Sequence, residues 1–187
     1  MKILYFDLET TGLKFWKNGI HQIAGMVEID GEIKETFDFK VRPYEKAIIE
    51  PKALEVAGVT SEQISQYEPM PDVYLKIKTM LSKYVDKYQK QDKFFLCGYN
   101  NASFDNPFFR AFFVQNGDNY FGSWFWSGAL DVMVLAFEYL KDKRDAMPNF
   151  QLHTVAKELG IAVDDSKLHD ALYDIEITKA IYEIVKR

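Results

Sequence analysis

Two carboxylates, Asp7 and Glu9, follow the apolar run of residues 3–6 near the start of the sequence. Successive side chains of a β-strand point to opposite faces, so this spacing places both carboxylates on the same face of a strand. Like charges at this distance repel each other unless a cation lies between them. The pattern therefore indicates either a metal site at the end of a central strand or a solvated pair on an edge strand, and spacing alone does not decide between the two.

Two later segments carry side chains of the same chemical type. Asp105 follows the apolar run of residues 94–99 and stands just before Pro107, a residue that suits the first turn of a helix. His169 precedes Asp174 at the start of a predicted C-terminal helix. Carboxylate oxygens are the ligands that magnesium and manganese prefer, and a neutral imidazole can accept a proton near neutral pH. These segments are the candidates for completing a site that begins with Asp7.

Strand and helix signals predict the elements that would position these residues. Alternating apolar runs joined by Asp30 and Gly31, a favourable hairpin pair, predict a meander with the first strand. The run at 94–99 is expected to be parallel to the first strand if the helical segment before it is a crossover. Pro107 follows a predicted cap at Asp105 or Asn106. The predicted strands are 20–29, 34–41 and 94–99. The predicted helical segments are 55–64, interrupted by a turn at Gly58 with a new cap at Thr60 or Ser61, then 72–88, 131–143, 151–159 and a terminal helix that ends at about 185.

One segment is unusually aromatic: 9 of the 19 residues between 108 and 126 are Phe, Tyr or Trp. Such residues can stack on the bases of a single strand. Packing in the core is the preferred interpretation, and a base platform or a dimer contact are the alternatives. Asp131 is interpreted as a helix cap or a supporting residue, His21 as a strand residue, and His153 as structural or exposed.

Length and composition predict one domain over residues 1–187 with a substantial core, since 48% of the residues are hydrophobic. The net charge of −5 argues against a broad basic surface for nucleic acid, but bound cations would reverse the local charge of a carboxylate site. Cys97 is the single cysteine, which excludes an intrachain disulfide. With no signal or membrane-spanning segment recognised, the expected location is cytoplasmic.

Taken together, three motifs resemble the DEDD superfamily of 3′–5′ exonucleases, in the branch with a catalytic histidine that includes the proofreading subunit of bacterial replicative polymerase. The motifs are FDLETTG at 6–12, NASFD at 101–105 and HDALYD at 169–174. Each is weak alone, but all three occur in the family order across nearly the whole chain. One departure is Asn100, where many relatives carry histidine; no metal-ligand position is affected.

The resemblance implies an α/β fold with a ribonuclease H-like mixed β-sheet flanked by α-helices. It implies that Asp7, Glu9, Asp105 and Asp174 bind two Mg²⁺ or Mn²⁺ ions, with His169 as general base. Two such ions can stabilise both the attacking and the leaving oxygen of a phosphodiester. The segment after the first motif would hold the terminal nucleotide. The implied substrate-binding residues are Thr10, Thr11, Gly12, Leu13 and Phe104.

The expected function is hydrolysis of phosphodiester bonds at the 3′ end of single-stranded DNA, releasing nucleoside 5′-monophosphates in proofreading or repair. RNA trimming by the same chemistry is the alternative, because sequence does not show whether the pocket accepts a 2′-hydroxyl. A non-catalytic nucleic-acid-binding or polymerase-binding module is a further alternative that the intact acidic set disfavours. A phosphatase would need an aspartyl nucleophile signature that residues 7–9 do not supply. A proofreading role would require a DNA polymerase partner in trans.

Overall fold

The computed structural model describes residues 1–167 and 170–186. Within these residues one mixed sheet forms, with the order β4-β3-β2-β1-β5-β6. The strands are β1 Lys2–Thr10, β2 Ile20–Ile29, β3 Glu32–Arg42, β4 Glu68–Pro69, β5 Phe95–Gly98 and β6 Leu130–Asp131. The α/β fold class predicted from the sequence is confirmed.

The meander of β1, β2 and β3 is antiparallel, as predicted. The hairpin between β2 and β3 turns at Asp30 and Gly31, whose positive φ angles of 51° and 87° suit a tight two-residue loop. β5 pairs with β1 in the parallel sense, which confirms the crossover prediction. The carboxyl ends of β1 and β5 therefore lie at the same edge of the sheet, where ligands of α/β proteins commonly bind.

The helices largely follow the sequence pattern, although the first helix begins at Pro51 and not at 55, and two other helices end earlier than predicted. The helix predicted over 72–88 ends at Tyr84, because Val85 is buried in the core but has an extended backbone. The helix predicted over 131–143 ends at Tyr139 and gives way to a 3₁₀ turn at Lys141–Ala146. The helices are α1 Pro51–Ala57, α2 Ser61–Ser65, α3 Met70–Tyr84, α4 Asp105–Gln115, α5 Val132–Tyr139, α6 Leu152–Glu158 and α7 Ala171–Val185. None of these described helices has the length and apolar character needed to cross a membrane.

The core lies in two layers, one on each face of the sheet. α3 and α4 pack on the face that carries Leu4, Phe6 and Leu8. α5, α6 and α7 pack on the face that carries Ile3 and Tyr5. Most of the aromatic segment belongs to the first layer, which supports the core interpretation of that segment. Its buried members are Phe108, Phe109, Phe112, Phe113, Phe121, Trp124 and Phe125.

Candidate active site

β1 presents the first two carboxylates. Asp7 pairs with Ala24 and Glu9 with Gln22 on β2. Both carboxylates lie on the same face of the sheet as Tyr5, the face on which α7 packs. Leu8 points to the opposite face, where it is buried. The register shifts between Glu9 and Thr10, a type of irregularity that re-aims side chains next to functional sites. β1 thus places Asp7 and Glu9 near the carboxyl ends of β1 and β5.

Asp105 is the first residue of α4, the helix that packs on the opposite face of the sheet. Its carboxylate is buried, and the backbone N–H groups of Leu8 and Asp105 partly oppose the rise in its pKa that burial causes. The predicted cap at Asp105 or Asn106 is wrong, since Phe104 occupies the cap position without a side-chain hydrogen bond. A carboxylate in the first helical turn is nevertheless favoured by the helix dipole.

Asp174 lies in the first turn of α7 and is contacted by a histidine that sequence reasoning did not connect with the site. The Nε2 atom of His153 on α6 is 2.9 Å from Oδ1 of Asp174, and both side chains are largely buried. The two residues are 21 positions apart, so no local spacing signals the contact. His169, the predicted general base, lies outside the described residues. Asp170 is exposed and caps α7 by accepting a hydrogen bond from the backbone N–H of Tyr173.

The carboxylates affect one another electrostatically. Burial raises the pKa of Asp7 well above its usual range, and the neighbouring carboxylates of Asp105, Glu9 and Asp174 raise it further. Burial and Asp174 raise the pKa of Glu9 to about 7. Burial also raises the pKa of Asp105. Within residues 1–167 and 170–186, no three histidine, cysteine or acidic side chains already form a metal-ligand cluster. The donor set still fits hard divalent cations, because cations would offset the repulsion between these oxygens.

Asp131 supports the loop that leads to Asp105. Its Oδ1 accepts hydrogen bonds from the backbone N–H groups of Asn100 and Met133, each at 3.1 Å, and of Val134 at 3.4 Å. Its Oδ2 accepts one from Ala102 at 3.1 Å. Asn100 has a φ of 61°, a conformation that few residues other than glycine adopt. One buried carboxylate therefore caps α5 and also holds the loop between β5 and α4, which agrees with the cap predicted from the sequence.

A cavity of about 340 Å³ opens beside Glu9. Four of the five predicted substrate-binding residues line it, and α1 contributes a wall that the sequence did not suggest. The lining residues from the predicted set are Thr10, Gly12, Leu13 and Phe104, and those from α1 are Lys52, Ala53 and Val56. Leu13 is 77% exposed, so an apolar side chain stands open at this cavity.

Thr11, the fifth predicted residue, stabilises the loop instead of lining the cavity. Its hydroxyl donates to the carbonyl of Ile48 at 2.8 Å and accepts from the N–H of Gly19 at 2.9 Å. The buried Asn18 supports the same loop by donating to the carbonyl of Ile48 at 2.8 Å. A Cβ atom at Gly12 would lie 2.4 Å from Nδ2 of Asn18, so glycine is required there by close packing.

Comparison with known proteins agrees with this geometry. A family model described as "Exonuclease" matches residues 4–182. The chain belongs to this exonuclease family, part of the DEDD superfamily. Membership of this family places the chain among the nucleases.

The relatives differ in the nucleic acid that their names specify. The chain is 25% identical to the DNA polymerase III PolC-type of Mycoplasmopsis pulmonis over 95% of its own length and 11% of that protein. It is 26% identical to ribonuclease T of Pectobacterium atrosepticum over 97% of its length and 80% of that protein. It is 27% identical to exodeoxyribonuclease I of Escherichia coli over 98% of its length and 39% of that protein.

A solved structure shares the fold. The structure of E. coli exonuclease I in complex with a dT13 oligonucleotide superposes with a TM-score of 0.78 over 99% of this chain and 41% of that chain, at 23% identity. The chain thus spans about a tenth of the PolC-type polymerase and about two fifths of exonuclease I. Structural similarity at this identity shows the fold, whereas the family is shown by the model that matches residues 4–182, and neither decides the substrate.

Proposed function

We propose that this exonuclease removes nucleoside 5′-monophosphates from the 3′ end of single-stranded DNA with the help of two divalent cations, Mg²⁺ or Mn²⁺. The observation that supports this proposal is the meeting of three elements at one sheet edge. β1 provides Asp7 and Glu9, α4 provides Asp105, and α7 provides Asp174. Burial and the charges of all three other carboxylates raise the pKa of Asp7, so Asp7 is the group on which the charges of the other three converge.

The four carboxylates are proposed to hold the cations, which when bound neutralise the negative charge that develops on the phosphate oxygens. Residues of the chain are proposed to bind the terminal nucleoside, to orient a carboxylate and to accept a proton. The cavity beside Glu9 is proposed to hold the terminal nucleoside, with Leu13 and Phe104 contacting its base. His153 orients the carboxylate of Asp174 through the bond between Nε2 and Oδ1. His169 is proposed to accept a proton from the attacking water, a role that a neutral imidazole performs near neutral pH.

RNA trimming is a second candidate for the substrate. The chain covers 80% of ribonuclease T, compared with 39% of exodeoxyribonuclease I, at nearly the same identity. Association with a DNA polymerase is also proposed, and the PolC-type relatives support it. Mixing the purified chain with a DNA polymerase and measuring co-elution tests that association directly.

Digestion of matched single-stranded DNA and RNA oligonucleotides, labelled at the 5′ or the 3′ end, tests the proposed activity. With Mg²⁺ or Mn²⁺ we expect stepwise ladders from the 5′ label and labelled mononucleotide from the 3′ label. Asp7→Asn and His169→Ala are expected to abolish both products. Asp72→Asn, at an exposed position in the first turn of α3, is the matched control and should leave them unchanged. Full activity in Asp7→Asn, or in wild type with excess chelator, would refute the proposed use of cations.

A further inference from the structure

A second cavity, of about 550 Å³, is lined by residues of α4 and of the loop that precedes it. It is mainly apolar and aromatic, with one guanidinium group in its wall. We call it the upstream groove, and define it by Phe15, Ala102, Pro107, Arg110, Phe121 and Trp126. The function proposed above assigns no role to it.

The upstream groove borders the candidate active site. Ala102 and Pro107 lie on either side of Asp105 in the sequence, and both contribute to the groove wall. Phe108 lies between the two cavities, because its ring centroid is 6.4 Å from that of Phe15 in the groove and 5.2 Å from that of Phe104 in the smaller cavity. The three rings therefore separate one cavity from the other. The groove therefore lies within reach of a strand whose terminal unit occupies the smaller cavity.

The groove wall contains a cation that no acidic side chain neutralises. Among the described residues Arg110 forms no ion pair, and its guanidinium rests on the Phe121 ring, 4.7 Å from the centroid. Other cations of the described chain do form ion pairs, as Lys83 does with Glu35 and Lys179 with Glu28. In a protein of net charge −5, an unpaired guanidinium within an aromatic cavity is complementary to an anionic and aromatic ligand.

Trp126 gives the groove a second large aromatic surface. It lines the groove, is partly exposed and stacks on Phe95 with the ring centroids 5.9 Å apart and the planes at 28°. Lys93 lies 5.4 Å from the same indole centroid, which adds a further positive charge beside the groove. Aromatic rings interleaved with cations are the usual means of binding single-stranded nucleic acid without sequence preference.

We propose that the upstream groove binds the bases of the nucleotides that precede the 3′-terminal one in a single-stranded substrate, with Arg110 contacting a phosphate between them. This proposal rests on the proposed function and adds a binding site for the second and following nucleotides. It makes the enzyme's affinity depend on substrate length. A substrate with one nucleoside would use the smaller cavity alone, and a longer strand would use both.

The test compares substrates of one nucleotide and of many. The short substrate is the nitrophenyl ester of thymidine 5′-monophosphate, and the long one is a 5′-fluorescein-labelled single-stranded 10-mer. Variants Arg110→Gln and Trp126→Leu are compared with Arg144→Gln and Tyr88→Ala. Arg144 is a matched control because its guanidinium also lies over a phenylalanine ring, Phe150, at 5.2 Å, and neither control residue lines the groove.

We expect Trp126→Leu to raise KM for the 10-mer about five-fold or more, with kcat unchanged, since stacking on one base contributes at least about 1 kcal/mol. Arg110→Gln should also raise KM with kcat unchanged, through loss of a phosphate contact. Turnover of the nitrophenyl ester should stay at the wild-type level, and the controls should match wild type on both substrates. Arg110→Gln should also reduce the slope of log K against log salt concentration by about 0.7, the value for one phosphate contact on a single strand. Thermal unfolding identifies any variant that has lost its fold.

Each outcome bears on the groove separately from the proposed function. If wild type hydrolyses both substrates and the groove variants behave as the controls do, the groove proposal is wrong while the exonuclease function stands. Equal losses on the ester and the 10-mer would also overturn it, because the residues would then act on the terminal site. If wild type hydrolyses neither substrate, fluorescence anisotropy of the 10-mer in chelator decides: weaker binding by Arg110→Gln than by Arg144→Gln supports the groove, and equal binding refutes it.

Discussion

Glu9→Gln is expected to stabilise the metal-free protein and to do so increasingly as the pH rises. Burial and the nearby charge of Asp174 raise the pKa of Glu9 from 4.5 to about 7, against a smaller opposing effect of Lys40. The folded protein therefore binds the Glu9 proton more tightly than the unfolded chain does, and stability is lost as the pH rises from 4.5 through 7. The shift of about 2.5 pKa units corresponds to about 3 kcal/mol in the free energy of unfolding at pH 8, and to about 1 kcal/mol at pH 5.

Glutamine has nearly the same shape and no charge, so the variant avoids this cost. The assay is urea unfolding of wild type and Glu9→Gln in excess chelator at pH 5 and pH 8, followed by circular dichroism. Glu45→Gln, at an exposed position in the loop after β3, is the matched control and should follow wild type at both values. Repeating the series with saturating Mg²⁺ should stabilise wild type more than Glu9→Gln, because a ligand stabilises only the state that binds it.

Two results would refute this reasoning. If Glu9→Gln were no more stable than wild type at pH 8 in chelator, the carboxylate of Glu9 would not be held in an unfavourable environment. If Mg²⁺ stabilised both proteins equally, Glu9 would not contribute to cation binding. Activity alone would not distinguish these cases, since either outcome is compatible with loss of turnover.

Three further predictions follow from the supporting residues. Asp131→Asn leaves some of the four backbone N–H groups that donate to Asp131 without an acceptor. We therefore expect the free energy of unfolding in urea to fall by about 1–3 kcal/mol, and Mn²⁺ binding measured by calorimetry to weaken. His153→Ala removes the donor to Asp174 and should weaken Mn²⁺ binding in the same assay, whereas His153→Gln, which keeps an N–H donor, should restore part of it. His21 is fully buried, and in the described chain its two ring nitrogens have no hydrogen-bond partner; burial lowers its pKa to about 4. The free energy of unfolding of wild type should thus fall by up to about 3 kcal/mol as the pH falls from 6.5 to 4. Urea unfolding of His21→Leu should show no such fall, and equal pH dependence in both proteins would contradict this prediction.

Local sequence determined those features whose signals lie within a few residues. Alternation along β1 placed Asp7 and Glu9 on one face, because strand geometry has a period of two. Asp30 and Gly31 specified the hairpin that fixes the register of β2, because both tolerate a positive φ. The motif spacing was sufficient to assign the exonuclease family, and Asp131 was recognisable as a helix cap.

Tertiary structure decided what depends on packing between distant segments. The contact between His153 and Asp174 and the wall that Lys52 and Val56 add to the cavity beside Glu9 join elements far apart in the sequence. The end of α3 at Tyr84 was likewise hidden, since an apolar residue satisfies the helical period and the core equally well. The aromatic segment shows the same limit. Its composition cannot distinguish Phe113, which is buried in the core, from Trp126, which lines the upstream groove, because only packing decides which ring faces are left exposed.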